Sequence, residues 1–124
     1  MSATDVATYR RKCGQFERAA RTASAAGDWS AAGLNAVHAA IAASDALTTF
    51  HLGERSRSKD HADAATLVGR LALPGVKERS AQLGRILSVK NLVAYEAREI
   101  TRREAEDLMA RMARFVEWAL QNVP

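Results

Sequence analysis

The chain has 124 residues, a single cysteine and a formal net charge of +4, with a pI near 9.7. That length suits one domain able to bury roughly two-thirds of the surface of its unfolded chain, and it leaves no room for a second. Cys13 alone excludes an intrachain disulfide, and with three dispersed histidines, His38, His51 and His61, it makes no metal-ligand pattern.

The beginning, MSATDVATYRRKCG, lacks the apolar core of a signal peptide. No apolar run approaches the ~20 residues of a membrane span. The expectation is a soluble protein of the reduced cytoplasm, with no cofactor and no membrane partner. A basic balance permits contact with phosphate. Arg far outnumbers Lys in an alanine-rich chain, however, and acidic residues are interspersed almost everywhere, so charge alone points to a solvated helical surface.

The first helix is expected from about Thr4 to Ala26, because Val6, Tyr9, Cys13, Phe16, Ala20 and Ala23 recur at three- and four-residue steps. Cys13 lies on that inward stripe and reads as a small buried hydrophobe; Arg10, Arg11 and Lys12 fall largely on other faces and read as solvated. Gly27 and Asp28 form a stop and N-cap pair that predicts a tight helical hairpin. The second helix follows from Trp29 to about Leu52. It is rich in alanine, and its large apolar residues Trp29, Leu34, Val37, Ile41, Leu47 and Phe50 point around more than half its circumference. Such a helix is central, or it faces both a core and a partner subunit. Asn35, His38, Asp45 and Thr49 fall on one narrow stripe, expected to face solvent, with Asp45 as a candidate partner for a cation of a site.

Gly53 stops the second helix, and Arg55, Arg57 and Lys59 interleave with Ser56 and Ser58 ahead of Asp60, which is expected to cap a third helix from Asp60 to Leu73. Cations and small hydroxyls before a helix start suit an anion. Pro74 interrupts that helix and suits the first position of the next. From Val76 to about Glu99, Leu83, Ile86, Leu87, Leu92 and Val93 keep a helical period. Thr101 and Glu104 form a capping box, and Ala105, Leu108, Met112, Phe115, Ala119 and Leu120 or Val123 make the stripe of a last helix. Met109, Met112, Phe115 and Trp118 read as core or dimer packing. The fold class is all-α, an antiparallel four- to five-helix up-and-down bundle with its third helix interrupted near Pro74.

No GxSxG turn, phosphate-cradling GxxxxGKS loop or paired-histidine metal helix is present. The residues left with chemistry to offer are Arg55, His61, Lys90, Asn91, Tyr95 and Asp45. Asn91 and Tyr95 share a helix face; Lys90 sits on the adjacent one. His61 is placed to hydrogen-bond Tyr95 or Asp45 and lock the broken helix to the bundle.

The order AAIAASDALTTFHLGERSRSKDHADAATLV, then LGRILSVKNLVAYEAREITRREAEDL, resembles the HEPN superfamily of small bacterial helical domains, over Asp28 to the end of the chain. The resemblance implies a bundle of about five helices, a homodimer, and a nucleotidyltransferase partner encoded nearby. Members that cut RNA do so without metal, through an arginine followed after a few residues by a histidine. Here Lys90 takes the arginine place and Asn91 the polar place beside it; Ala94 and Tyr95 occupy the histidine's neighbourhood, and no histidine follows His61. Tyrosine, with a pKa of ~10, is a poor base at neutral pH, and lysine lacks the guanidinium fork. Arg55 and His61 satisfy the spacing literally, but in a loop ahead of the third helix.

The expectation is therefore a non-catalytic HEPN-like binding or accessory protein that contacts nucleotide, RNA or a nucleotidyltransferase-type partner. The alternative is a metal-independent, toxin-like endoribonuclease in which His61 replaces the missing base. A third expectation is an adaptor whose last-helix stripe is covered only by a partner protein.

Overall fold

Alanine content turns the second helix into the axis of the molecule. The computed structural model describes residues 3–57, 61 and 63–124. Its helices are α1 Ala3–Ala25, α2 Trp29–Leu52, α3 Ala64–Gly69, α4 Val76–Ser88, α5 Lys90–Tyr95 and α6 Arg102–Gln121. No strand occurs among the described residues, and the chain is an all-α bundle. No helix of the described residues is long and apolar enough to cross a membrane.

Of the 24 residues of α2, 15 are buried, a share that only a helix enclosed on several sides reaches. It packs along α1 and α6, while α3, α4 and α5 also touch it. Val6, Cys13 and Ala20 are the buried part of the α1 stripe. From α6, Ala105, Leu108, Met112, Phe115 and Ala119 enter the interior, joined by Val116 and Trp118. The stripe of the last helix is therefore covered by the chain's own core, which removes the exposed face that an adaptor would need.

The turn between α1 and α2 is closed by backbone alone. Gly27 takes φ +75, its N–H donates to the Ser24 carbonyl at 3.0 Å, and the Asp28 N–H donates to the Ala23 carbonyl at 2.9 Å. This paired 6→1 and 5→2 pattern is the Schellman stop that glycine favours. Asp28 stands at the N-cap position of α2, but its side chain caps nothing.

The third helix is shorter than its pattern predicts. His61 has φ 59, a left-handed backbone that no α-helix can contain, so regular helix begins only at Ala64; the expected cap, Asp60, lies outside the described residues. At the other end, Arg70 and Leu71 bond back three residues to Leu67 and Val68, tightening the chain out of the helix ahead of Pro74. Pro74 is not the first residue of the next helix: Gly75, at φ +78, takes the N-cap position and α4 starts at Val76. The Pro74 carbonyl accepts from Trp118 Nε1 at 3.0 Å, which ties this corner to α6.

The expected helix from Val76 to Glu99 is broken at Val89. Ser88 Oγ donates to the Arg85 carbonyl at 2.7 Å, the acceptor that the Val89 N–H would use in an unbroken helix, and that N–H turns instead to Ile86 at 3.4 Å. Glu96 is extended (φ −79, ψ 152), so α5 stops at Tyr95. The capping box forms as predicted. Thr101 Oγ1 accepts from the Glu104 N–H at 3.1 Å, and Glu104 Oε1 accepts from the Thr101 N–H at 2.8 Å.

Gly33 is the tightest of the glycine positions. A Cβ there would stand 2.6 Å from Ile100 Cδ1, with Leu108 and Val93 methyls at 3.5 Å. Ile100 is itself buried, so it cannot swing away freely. Gly33→Ala is expected to lower the unfolding free energy by up to about 2 kcal/mol, an overpacking cost of about 1–3 kcal/mol being partly offset by the roughly 1 kcal/mol preference of a helix for Ala over Gly, in a urea titration with α-helical content as the readout.

Candidate functional site

The polar stripe of α2 faces inward. His38 is half-buried, and Asp45 and Thr49 are buried rather than forming a solvent-facing seam. Asp45 is only 5% exposed, and its Oδ1 has no hydrogen-bond partner among the described residues. Burial pushes its carboxyl up to about 7, against the pull of Arg55 and Lys12 and with a further push from Asp63. A carboxyl so placed is divided between acid and carboxylate near neutral pH, so it can donate a hydrogen bond as well as accept one.

The segment after α2 supplies the facing groups. Arg55 lies over the ring of Tyr9 from α1, 5.8 Å from its centroid, which holds the guanidinium against the bundle. Ser56 is buried, and its hydroxyl donates to Asp63 Oδ1. That bond spans the segment that carries His61.

His61 is half-buried, and its Nδ1 is enclosed and without a hydrogen-bond partner among the described residues. Burial, then the charges of Lys90, Arg55 and His38, lower its pKa against the opposing effect of Asp63. His38, tilted against Phe16 with ring centroids 5.2 Å apart, is likewise lowered by burial and by Lys90. Both imidazoles are thus held toward the neutral form.

Four of the six residues singled out from the sequence therefore share one electrostatic neighbourhood: Asp45 on α2, Arg55 and His61 on the connecting segment, and Lys90 at the start of α5. The other two do not join them. Tyr95 is 77% exposed and Asn91 is exposed on α5. The expected hydrogen bond from His61 to Tyr95 or Asp45 is not made through His61 Nδ1 or Asp45 Oδ1, which both lack partners among the described residues.

Lys12 and His38, which are not among those six residues, also act on the cluster. Lys12 is exposed on α1 beside Arg10 and Arg11, as expected, yet its charge acts on Asp45; Arg10, also exposed, donates to the Leu120 carbonyl at 3.0 Å, at the C-terminal end of α6. His38 is half-buried where a solvent-facing seam is expected. Its signal was present in the seven-residue step to Asp45, which is two helical turns on one face. Periodicity places both residues on one face but does not set the direction of that face.

Among the described residues no three His, Cys, Asp or Glu side chains converge as metal ligands. What the cluster can do is receive an oxyanion. Arg55 and Lys90 supply charge, and two enclosed heteroatoms can each present a proton. The fold and site define a helical bundle with a partly enclosed, predominantly cationic cluster between its central helix and the α2–α3 connection. Comparison with known proteins finds no matching family model, no matching curated protein and no matching solved structure.

Two outcomes follow. Asp45 has a folded pKa of about 7 against an ordinary 3.8, so the folded state holds the extra proton and loses that advantage as pH rises between those values. The stability of Asp45→Asn relative to the parent should accordingly increase from about pH 4 to about pH 8, by a few kcal/mol, in denaturant titrations across that range. Cys13 is fully buried, and burial, reinforced by Glu17, pushes its thiol up to about 12. A disulfide reagent at neutral pH should modify it only at the rate of unfolding, with prompt reaction in denaturant.

Proposed function

We propose that the protein is a non-catalytic helical binding module of HEPN type, whose cluster around Asp45 and His61 accepts a phosphate group of a nucleotide or an RNA strand. One observation carries this reading. The two enclosed side-chain atoms left without a hydrogen-bond partner among the described residues, Asp45 Oδ1 and His61 Nδ1, share Arg55 and Asp63 as charged neighbours. Buried polar groups are almost always satisfied, and each one left open costs about 1–3 kcal/mol. Two in one place mark a site where a ligand supplies the partners.

A phosphate oxygen suits both. Protonated Asp45 and the imidazole N–H can donate to it, and Arg55 and Lys90 add charge-assisted bonds. Exposed Tyr95, at the far end of α5, offers a ring on which an unpaired base can stack. The HEPN resemblance supports the same reading through Lys90 and Asn91, which stand where RNA-cutting relatives carry an arginine and its polar neighbour. It also extends the reading to a homodimer that serves a nucleotidyltransferase-type partner.

A second reading, metal-independent ribonuclease, is favoured by one feature. His61 is held toward the neutral form, with an Nδ1 open among the described residues and with Lys90 and Arg55 as charged neighbours, the arrangement of a base next to cations that stabilise a phosphorane-like charge.

Fluorescence anisotropy with labelled single-stranded RNA and with nucleotides, in EDTA and over a salt series, separates these readings. Binding that weakens with salt is expected, with a loss of at least about tenfold in the Arg55→Ala, Lys90→Ala double variant. Absence of binding by folded protein at low salt would sink the proposal. Cleavage in EDTA that disappears in His61→Ala would replace it with the second reading.

A further inference from the structure

The break at Val89 opens a cleft that the cluster does not use. It encloses about 300 Å³ between the end of α4, α5, the 96–101 segment and α6. That volume is at the small end of the range for small-molecule sites. Its floor is apolar, from Val89, Leu92, Val93, Ile100 and Leu108, and Arg85 and Arg111 stand on its rim. None of the residues around His61 lines it.

The charged rim is unevenly committed. Glu104 is held by Arg98 through two bonds of 2.8 and 3.0 Å and by its own capping box, which keeps its carboxyl down at about 2. It is already neutralised. Among the described residues, the salt bridges run from Arg70, Arg98 and Arg102, and neither Arg85 nor Arg111 takes part. Asp107, one turn before Arg111 and also on the rim, makes no ion pair with it. Two guanidinium groups with no fixed partner thus border an apolar floor, against one free carboxylate.

The helix that roofs the cleft is also short of partners. α5 contains no fully buried residue, although Leu92 and Val93 are apolar and pack only partly against the core. A ligand with an apolar body would complete their burial.

We propose that this cleft is a binding site for a small amphiphilic carboxylate, its aryl or medium-chain body on Leu92, Val93, Ile100 and Leu108 and its carboxylate gripped by Arg85 and Arg111. The planar fork of arginine matches a carboxylate in two parallel bonds, and the apolar floor discriminates against hydrophilic anions. The site is independent of the phosphate reading and stands or falls separately from it.

The test is calorimetric titration of the full chain at fixed ionic strength with phenylacetate and octanoate, each beside a neutral counterpart, phenylacetamide and octan-1-ol. At least one acid should bind at least about tenfold more tightly than its neutral counterpart. Arg111→Gln and Arg85→Gln should each cut acid affinity by about fivefold or more without weakening the neutral ligand. Leu92→Glu, which places a carboxylate over the floor, should abolish acid binding while the circular dichroism spectrum is unchanged. Failure of both acids to bind at millimolar concentration would overturn the proposal. So would neutral ligands binding equally well, or undiminished acid binding by both folded arginine variants. If the arginine variants unfold, the comparison of acid with neutral ligand on the parent chain still decides it.

Discussion

Enclosure of α2 is the constraint from which the other features follow. A helix surrounded by α1, α6 and the shorter helices can be packed closely only if most of its side chains are small, and Ala32, Ala36, Ala39, Ala40, Ala43 and Ala46 are all fully buried. Gly33 takes this to the limit, since the Ile100 methyl occupies the space where its Cβ would be. The close approach gains dispersion contacts along most of the helix. It also carries whatever polar groups share those faces into the interior.

Some of those polar groups are satisfied locally. The Ser44 hydroxyl donates to the Ile41 carbonyl at 3.0 Å and Thr48 to the Ser44 carbonyl at 3.0 Å, so both fit a dry environment at little cost. Asp45 has no such recourse for Oδ1, and the chain balances it instead with Arg55 and Lys12 from two other segments. A carboxyl held near its midpoint by burial and opposed by neighbouring cations is poised rather than settled. This property distinguishes the cluster from an ordinary structural ion pair, in which mutual contact fixes both charges.

The discontinuity at Val89 matters as much as any single side chain. An unbroken helix from Val76 to Glu99 would carry Lys90 and Leu92 onward along the line of α4, which packs chiefly on α3 and α6. Redirection of the chain at Ser88 and Val89 lets α5 lie on α2 at its own angle. Lys90 then faces His38 and His61 while Leu92 and Val93 roof the cleft beside α6. One short helix thereby takes part in two chemically different places, one cationic and one apolar with an arginine rim.

The sequence by itself determined the helical class and most of the long boundaries. The period of apolar residues, the glycine stop at Gly27 and the reciprocal Thr101–Glu104 box are local signals, and local hydrogen bonding decides them. It also picked out Asp45, Arg55, His61 and Lys90, since these residue types carry chemistry wherever they fall. Tertiary structure alone decided which of them meet. The polar stripe of α2 faces inward because α1 and the Arg55 segment cover it, a fact with no counterpart in the periodicity of α2. The left-handed turn at His61 and the switch of the Val89 N–H to Ile86 came from non-repeating geometry at single residues, and the cleft between α5 and α6 exists only because separate parts of the chain close around it.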